Sequence, residues 1–278
     1  MKKIIAAIDG LKFSESTRDY GVHIAQELNA HLVGVFLDDA TYTSYKIYDL
    51  IVKEGVSEQK LKQYDEKDNE TRKKAAENFE KECSDAGLTY SIHHDRNIAL
   101  KELLHESIYA DLLIIDANET LTHYEEKQPT RFIRDLLADV SCPVLLVPPR
   151  YNTIEKILFL YDGEPSAVYA IKMFSYLFPV FEHLETEMLS VKNLNQSLHL
   201  PDNKLMKELM KRHFPKTSYA VLKGLADTEI ADYLKCQASN VLVVLGAYKR
   251  GRVSRWFHES MADILMKELK LPLFIAHN

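Results

Sequence analysis

The sequence predicts an α/β protein made of two doubly wound, parallel five-stranded-sheet domains in tandem. Three observations lead there. Short, nearly unbroken apolar runs alternate with segments of helical period, the pattern of parallel strands covered on both faces. The same series of elements occurs twice in the same order, with a joint near 150–153. The chain has 278 residues, 46% of them hydrophobic and 27% charged, which is ordinary material for two medium domains.

The elements follow in order. KIIAAIDG (3–10) and KILFLYDG (156–163) are each Lys, an apolar run and Asp-Gly. A helical pattern comes after each: SESTRDYGVHIAQELNA in the first copy, PSAVYAIKMFSYLF in the second. HLVGVFL (31–37) and EMLSVKN (187–193) read as second strands, and LTYSIHH (88–94) and TSYAVLK (217–223) as weaker third strands. Leu103, Leu104 and Ile108 mark the helix before ADLLIIDAN (110–118); Ile230, Tyr233 and Leu234 mark the one before SNVLVVLGA (239–247). CPVLLVP (142–148) and LPLFIAH (271–277) close the two copies. Any one match is weak. Four in register indicate duplication, with domains at 1–150 and 151–278.

The copies differ at 40–80, where the first carries an inserted helical segment. Its stretch EKDNETRKKAAENFEKE suits ion pairs four residues apart on a solvated helix. Tyr42, Tyr45 and Tyr48 before it read as a lid, a partner surface or neither.

Composition excludes several classes. A net charge of −6 disfavours nucleic acid as a partner. Cys83, Cys142 and Cys236 form no CxxC pair, so neither a zinc site nor a disulfide framework is expected. The apolar start ends at Asp9, too soon for a signal peptide, and no run is long enough for a membrane span. The expectation is a cytoplasmic protein. His93 and His94 are adjacent on a strand and should face opposite ways, so they are not read as a metal pair.

In an open α/β sheet a ligand sits beyond the carboxyl ends of the strands, where strand order reverses. If the first and fourth strands are neighbours, that place in the second copy gathers Asp162, Gly163 and the turn starting at Gly246. Lys249, Arg250, Arg252 and Arg255 follow, and Ser260 opens a helical pattern. Backbone N–H groups and cations there suit an anion.

Duplicated halves, a strand ending in Asp-Gly, and a Gly-led loop closing on Ser before a helix and a Leu-Pro or Cys-Pro strand resemble the universal stress proteins. The resemblance spans nearly the whole chain as two copies. It implies a fold of the adenine nucleotide α-hydrolase type. It also implies ATP or AMP as ligand, with Mg²⁺ beside ATP, and an internal pseudo-dimer pairing 143–148 with 272–277. Further oligomerisation stays open. ATP-binding members carry Gly-x2-Gly-x9-Gly-Ser/Thr. Here Gly246 keeps the first glycine and Ser260 the hydroxyl, while Lys249 and Glu259 replace the other two glycines. A carboxylate about 4 Å from a phosphate costs on the order of 4 kcal/mol at an effective dielectric near 20, unless it turns away. In the first copy Asp116 stands at the first glycine and Thr130-Arg131 where Gly-Ser would be. Asp116, Glu119, Glu125 and Glu126 repel a triphosphate there, so no site of the family type is expected.

The resemblance therefore points to a stress-response or regulatory protein that binds an adenine nucleotide through Asp162, Gly163, Val191, Gly246, Lys249 and Ser260, with Val191 walling the adenine. The alternative is an interaction protein with degenerate sites and an unknown protein partner. No Ser-His-Asp set, HExxH or P-loop is present, so slow ATP hydrolysis rests on resemblance alone.

Overall fold

The computed structural model describes residues 1–38, 42–45, 58–95, 98–195, 198–237, 240–246 and 261–277. The chain divides into two compact units, Met1–Leu136 and Leu137–Asn278.

The first unit contains β1 (Lys3–Ile8), α1 (Glu15–Leu28), β2 (His31–Leu37), α2 (Glu58–Asp85), β3 (Tyr90–Asp95), α3 (Ala99–Ser107) and β4 (Leu112–Asp116). Helix α4 (Arg131–Asp139) runs across the division. The strand order is β3-β2-β1-β4, with every pairing parallel. Strand order thus reverses between β1 and β4, as the sequence argument for a ligand site requires.

The second unit contains β5 (Val144–Val147), β6 (Lys156–Leu160), α5 (Pro165–Leu177), a 3₁₀ turn (Pro179–His183), β7 (Glu185–Lys192) and α6 (Asn203–His213). It continues with β8 (Ser218–Lys223), α7 (Ala226–Lys235), β9 (Val241–Gly246), α8 (Met261–Glu268) and β10 (Leu273–Ala276). Its order is β5-β10-β9-β6-β7-β8. Strands β6 to β10 pair in parallel, and the reversal falls between β6 and β9. Strand β5 pairs antiparallel with β10, with Leu273 opposite Leu146 and Ile275 opposite Val144. The last strands of the two sequence copies are therefore hydrogen-bonded to each other, which is why β5 groups with the second unit.

Local chemistry explains the elements. Strand β1 is apolar because both faces are covered; Ile4, Ile5 and Ile8 are buried. Helix α1 starts where the Ser14 hydroxyl accepts the Thr17 amide at 3.2 Å, and ends at Asn29 in the left-handed region. Helix α2 is mostly solvated and carries the Lys74–Glu70 and Lys73–Glu77 pairs. It touches the sheet through Ala75, Phe79 and Cys83, spaced one turn apart. In the second unit Phe174 packs on Phe159, Phe178, Phe214 and Phe274, with ring centroids 4.7–6.1 Å apart.

Gly34 in β2 makes room for α2. A Cβ there would lie 2.6 Å from Phe79 Cε1. Gly34→Ala should lift the Phe79 ring and lower the stability of the first unit by about 1–3 kcal/mol. Urea unfolding followed by circular dichroism tests this; a loss below about 0.5 kcal/mol would show that α2 is not anchored through this ring.

Candidate functional site

In each unit the strand order reverses between its first and fourth strands, and the carboxyl ends there are finished differently.

In the first, Asp9 follows β1 and is only 1% exposed. Its Oδ1 accepts the Leu11 amide at 2.7 Å, while Oδ2 is buried without a hydrogen-bond partner among the described residues. Burial pushes the Asp9 carboxyl above the usual range, opposed by the Leu11 and Lys12 amides. Tyr42 covers it, 6% exposed, with its hydroxyl beside the carboxyl but outside hydrogen-bonding geometry to Oδ2. Burial and then the Asp9 charge hold that phenol well above its ordinary range, so it stays protonated. Tyr42 is itself held: His123 packs on its ring at 5.4 Å, Lys12 Nζ lies 5.6 Å from the centroid, and Arg72 donates to its carbonyl at 2.8 Å. Arg72 Nε also sits 3.2 Å from Asp38 Oδ1, an ion pair without hydrogen-bond alignment. The lid alternative for the tyrosines at 40–48 thus has a concrete form at Tyr42, which lies over the crevice of its own unit. Tyr45 reaches Asp65 on α2, and Tyr48 lies outside the described residues.

The other rim holds two more acids. Asp116 ends β4; Ser14 donates to its Oδ2 at 3.0 Å and the Asn118 amide to its Oδ1 at 2.8 Å. Glu119 is buried, and its Oε1 accepts the amides of Thr120 and Leu121, both at 2.9 Å. Burial, then the Asp9 charge, push the Glu119 carboxyl up to about 7. One reading from sequence needs correcting here. The hydroxyl at the start of α4 is that of Thr130, which accepts the Ile133 amide at 3.2 Å. Thr130 therefore takes the serine place that Thr130-Arg131 was read to share with glycine, and Arg131 is already helical.

In the second crevice Asp162 follows β6 and is exposed. Its Oδ1 accepts the Glu164 amide at 2.8 Å, the same side-chain turn that Asp9 makes. Gly163 has φ +94, and a Cβ there would lie 2.7 Å from Pro201 Cβ. Val191 is half-buried near the end of β7, opposite Leu222. Gly246 ends β9, and a Cβ on it would lie 2.4 Å from the Ser166 carbonyl oxygen in the first turn of α5. The sequence places Gly246 at the start of the ligand turn; the atoms that crowd it belong to this helix. Sequence reasoning also missed Tyr161 and Asp202. Tyr161 is buried, and burial with the charges of Asp202 and Asp162 raises its phenol. Asp162, Glu164 and Asp202 leave the described wall acidic. Lys249 and Ser260, the cation and hydroxyl of the predicted set, lie outside the described residues, as does the run Arg250, Arg252 and Arg255.

His93 and His94 diverge as adjacent strand residues do. His93 Nδ1 lies 2.7 Å from Glu106 and His94 Nδ1 3.0 Å from Asp38.

Two α/β units, each with a strand-order reversal beside its first strand and an Asp-led turn after that strand, make a tandem, doubly wound architecture. No family model matches the chain. Over 291 aligned residues it is 21% identical to the universal stress protein Slr1230 of Synechocystis, covering 98% of this chain and 99% of that one. In fold it is similar to a universal stress protein of Archaeoglobus fulgidus (TM-score 0.71, 12% identity, 99% and 98% of the two chains). It is also similar to PA1789 of Pseudomonas aeruginosa, described as functionally unknown (TM-score 0.60, 14% identity, 100% and 92%). The chain is thus similar to a two-domain universal stress protein along nearly its whole length.

No helix among the described residues is long and apolar enough to cross a membrane.

Packing and binding at Gly246 can be separated. Gly246→Ala should destabilise the second unit by about 1–3 kcal/mol, because helix backbone cannot yield as a side chain does. Thermal unfolding with and without ATP checks this. An equal loss in both assigns the glycine to packing, and a loss seen only with ATP reassigns it to ligand.

Proposed function

We propose that the chain is a regulatory protein of the universal stress type with one adenine-nucleotide site, in the second unit, and none in the first. The observation that carries this is the contrast between two equivalent residues. Asp9 is sealed under Tyr42, whereas Asp162 is exposed to water at the same strand end. An exposed carboxylate beside a positive-φ glycine can accept ribose hydroxyls, with Val191 as an apolar wall. The acidic described wall means that the phosphates need Lys249, the neighbouring arginines, or Mg²⁺. ATP and AMP are both candidates. Stress response is the physiological setting this kinship suggests.

One observation favours a second reading, a protein that signals by contact alone. Asp162 and Gly246 both have structural work without any ligand, the first in a turn and the second against α5.

Calorimetry on the intact protein with ATP and AMP, with and without Mg²⁺, separates the two. The nucleotide reading expects binding near one equivalent. It also expects Lys249→Ala to weaken that binding by about ten- to a hundredfold, the worth of a charge-assisted hydrogen bond. Asp162→Asn keeps the Oδ1 acceptor of the turn and should weaken binding while leaving the melting temperature in place. Absence of binding up to millimolar nucleotide would reject the site.

A further inference from the structure

Residues 42–45 form a short strap in the first unit. Four hydrogen bonds fasten it to α2: Arg72 donates to the Tyr42 carbonyl at 2.8 Å, the Ser44 amide to Asp68 at 2.8 Å, the Ser44 hydroxyl to the same carboxylate, and the Tyr45 hydroxyl to Asp65 at 2.7 Å. At its head the Tyr42 side chain closes over a buried place that holds two carboxyls and few donors. Asp9 Oδ2 has no partner among the described residues, and Glu119 spends Oε1 on two backbone amides.

We propose that the 42–45 strap is a proton-responsive latch on the first unit: it is shut while the Asp9–Glu119 pair holds a proton and opens when both carboxyls are charged.

The surroundings support this from every side. On the loop after β1, Lys12 Nζ donates to the Thr122 carbonyl and lies over the Tyr42 ring, so its charge is only partly turned to Asp9. On α2, Arg72 serves Asp38 and the Tyr42 carbonyl. On the loop after β4, His123 faces the ring of Tyr42. Asp116 adds a third negative charge near Glu119 and draws its own donors from Ser14 and Asn118. Glu126, further along, is exposed and accepts the Arg131 amide. Two buried carboxylates that feel each other's charge, with so little neutralising charge nearby, do not both ionise cheaply. Opening would give each its water.

The sign follows from linkage. Glu119 in the shut state titrates at about 7, against an ordinary 4.5. The shut form therefore binds the extra proton, and closure is strongest at low pH and weakens as pH rises through 7. With those two values the shut-to-open ratio falls about tenfold between about pH 6 and pH 8.5.

Hydrogen exchange on the intact protein reads the latch at the Ser44 amide, with intrinsic exchange corrected at each pH and a β6–β7 peptide as reference. Wild type should lose about tenfold protection at Ser44 over that range while the reference holds. Glu119→Gln keeps the Oε1 acceptor and removes the titration, so its protection should stay flat and high. Constant protection in the wild type, or an equal fall in Glu119→Gln, overturns the proposal. If that variant does not fold, carbon-13 titration of the wild-type carboxyls decides. A carboxyl of the pair titrating near 7 supports the latch, and ordinary values for both overturn it.

Discussion

A carboxylate without water is the constraint on which the first unit depends. Apolar β1 delivers Asp9 to the carboxyl end of the sheet, and its parallel neighbours β2 and β4 end nearby in Asp38 and Asp116. Parallel strands bring these ends together whatever the charges are. Asp116 is answered by Ser14 and Asn118, and Asp38 by Arg72 and His94. Asp9 and Glu119 take backbone amides, with the Tyr42 hydroxyl beside Asp9 and no ion pair to either among the described residues. The inserted helix α2 is what makes the cluster tolerable, since it supplies Arg72 and the anchors for the strap. A segment that looks like a solvated appendage in composition is thereby tied to the electrostatics of the sheet.

The second unit meets the same topology with another solution. Asp162 stands in water, where its charge costs little, and no strap covers it among the described residues. Its neighbours Glu164 and Asp202 add negative charge instead of quenching it. Such a wall favours a ligand that brings a cation or is met by one, and the chain places four basic residues in the loop after Gly246. The two copies thus hold two versions of one strand end, one carboxylate buried and one in water.

Much of the fold was legible in sequence because it depends on local and periodic signals. The apolar runs became the ten described strands, the ion-pair pattern EKDNETRKKAAENFEKE fell inside α2, and the switch points fell where the strand order implied. The candidate site was less legible because it depends on contacts distant in sequence. Nothing around Tyr42 announces that it will cover Asp9. Gly34 reads as a weak point in a strand until Phe79 arrives from α2 to fill it. Glu119 reads as one more surface acid until burial shows it paired in effect with Asp9. Thr130 and Arg131 could be misplaced by one residue because only the hydrogen bond to Ile133 fixes which of them starts the helix.

Gly246 shows why surviving motif residues are weak evidence for a retained ligand. At that strand end the first unit has Asp116, whose side chain meets the hydroxyl of Ser14 at the start of α1. The second has no side chain at Gly246, and its helix starts at Glu164-Pro165 with no side-chain cap, so the backbone of Ser166 closes directly on the strand. Each pair is self-consistent. A carboxylate at the strand end needs a donor at the helix start, and a bare helix start packed this closely needs a glycine. Exchange of one member alone leaves a half-buried charge without its hydroxyl, or a Cβ against a carbonyl oxygen. Packing would therefore preserve Gly246 after any ligand was lost. Evidence for binding has to come from residues that packing does not need, and in the second unit those are the exposed charge of Asp162 and the cations of the following loop.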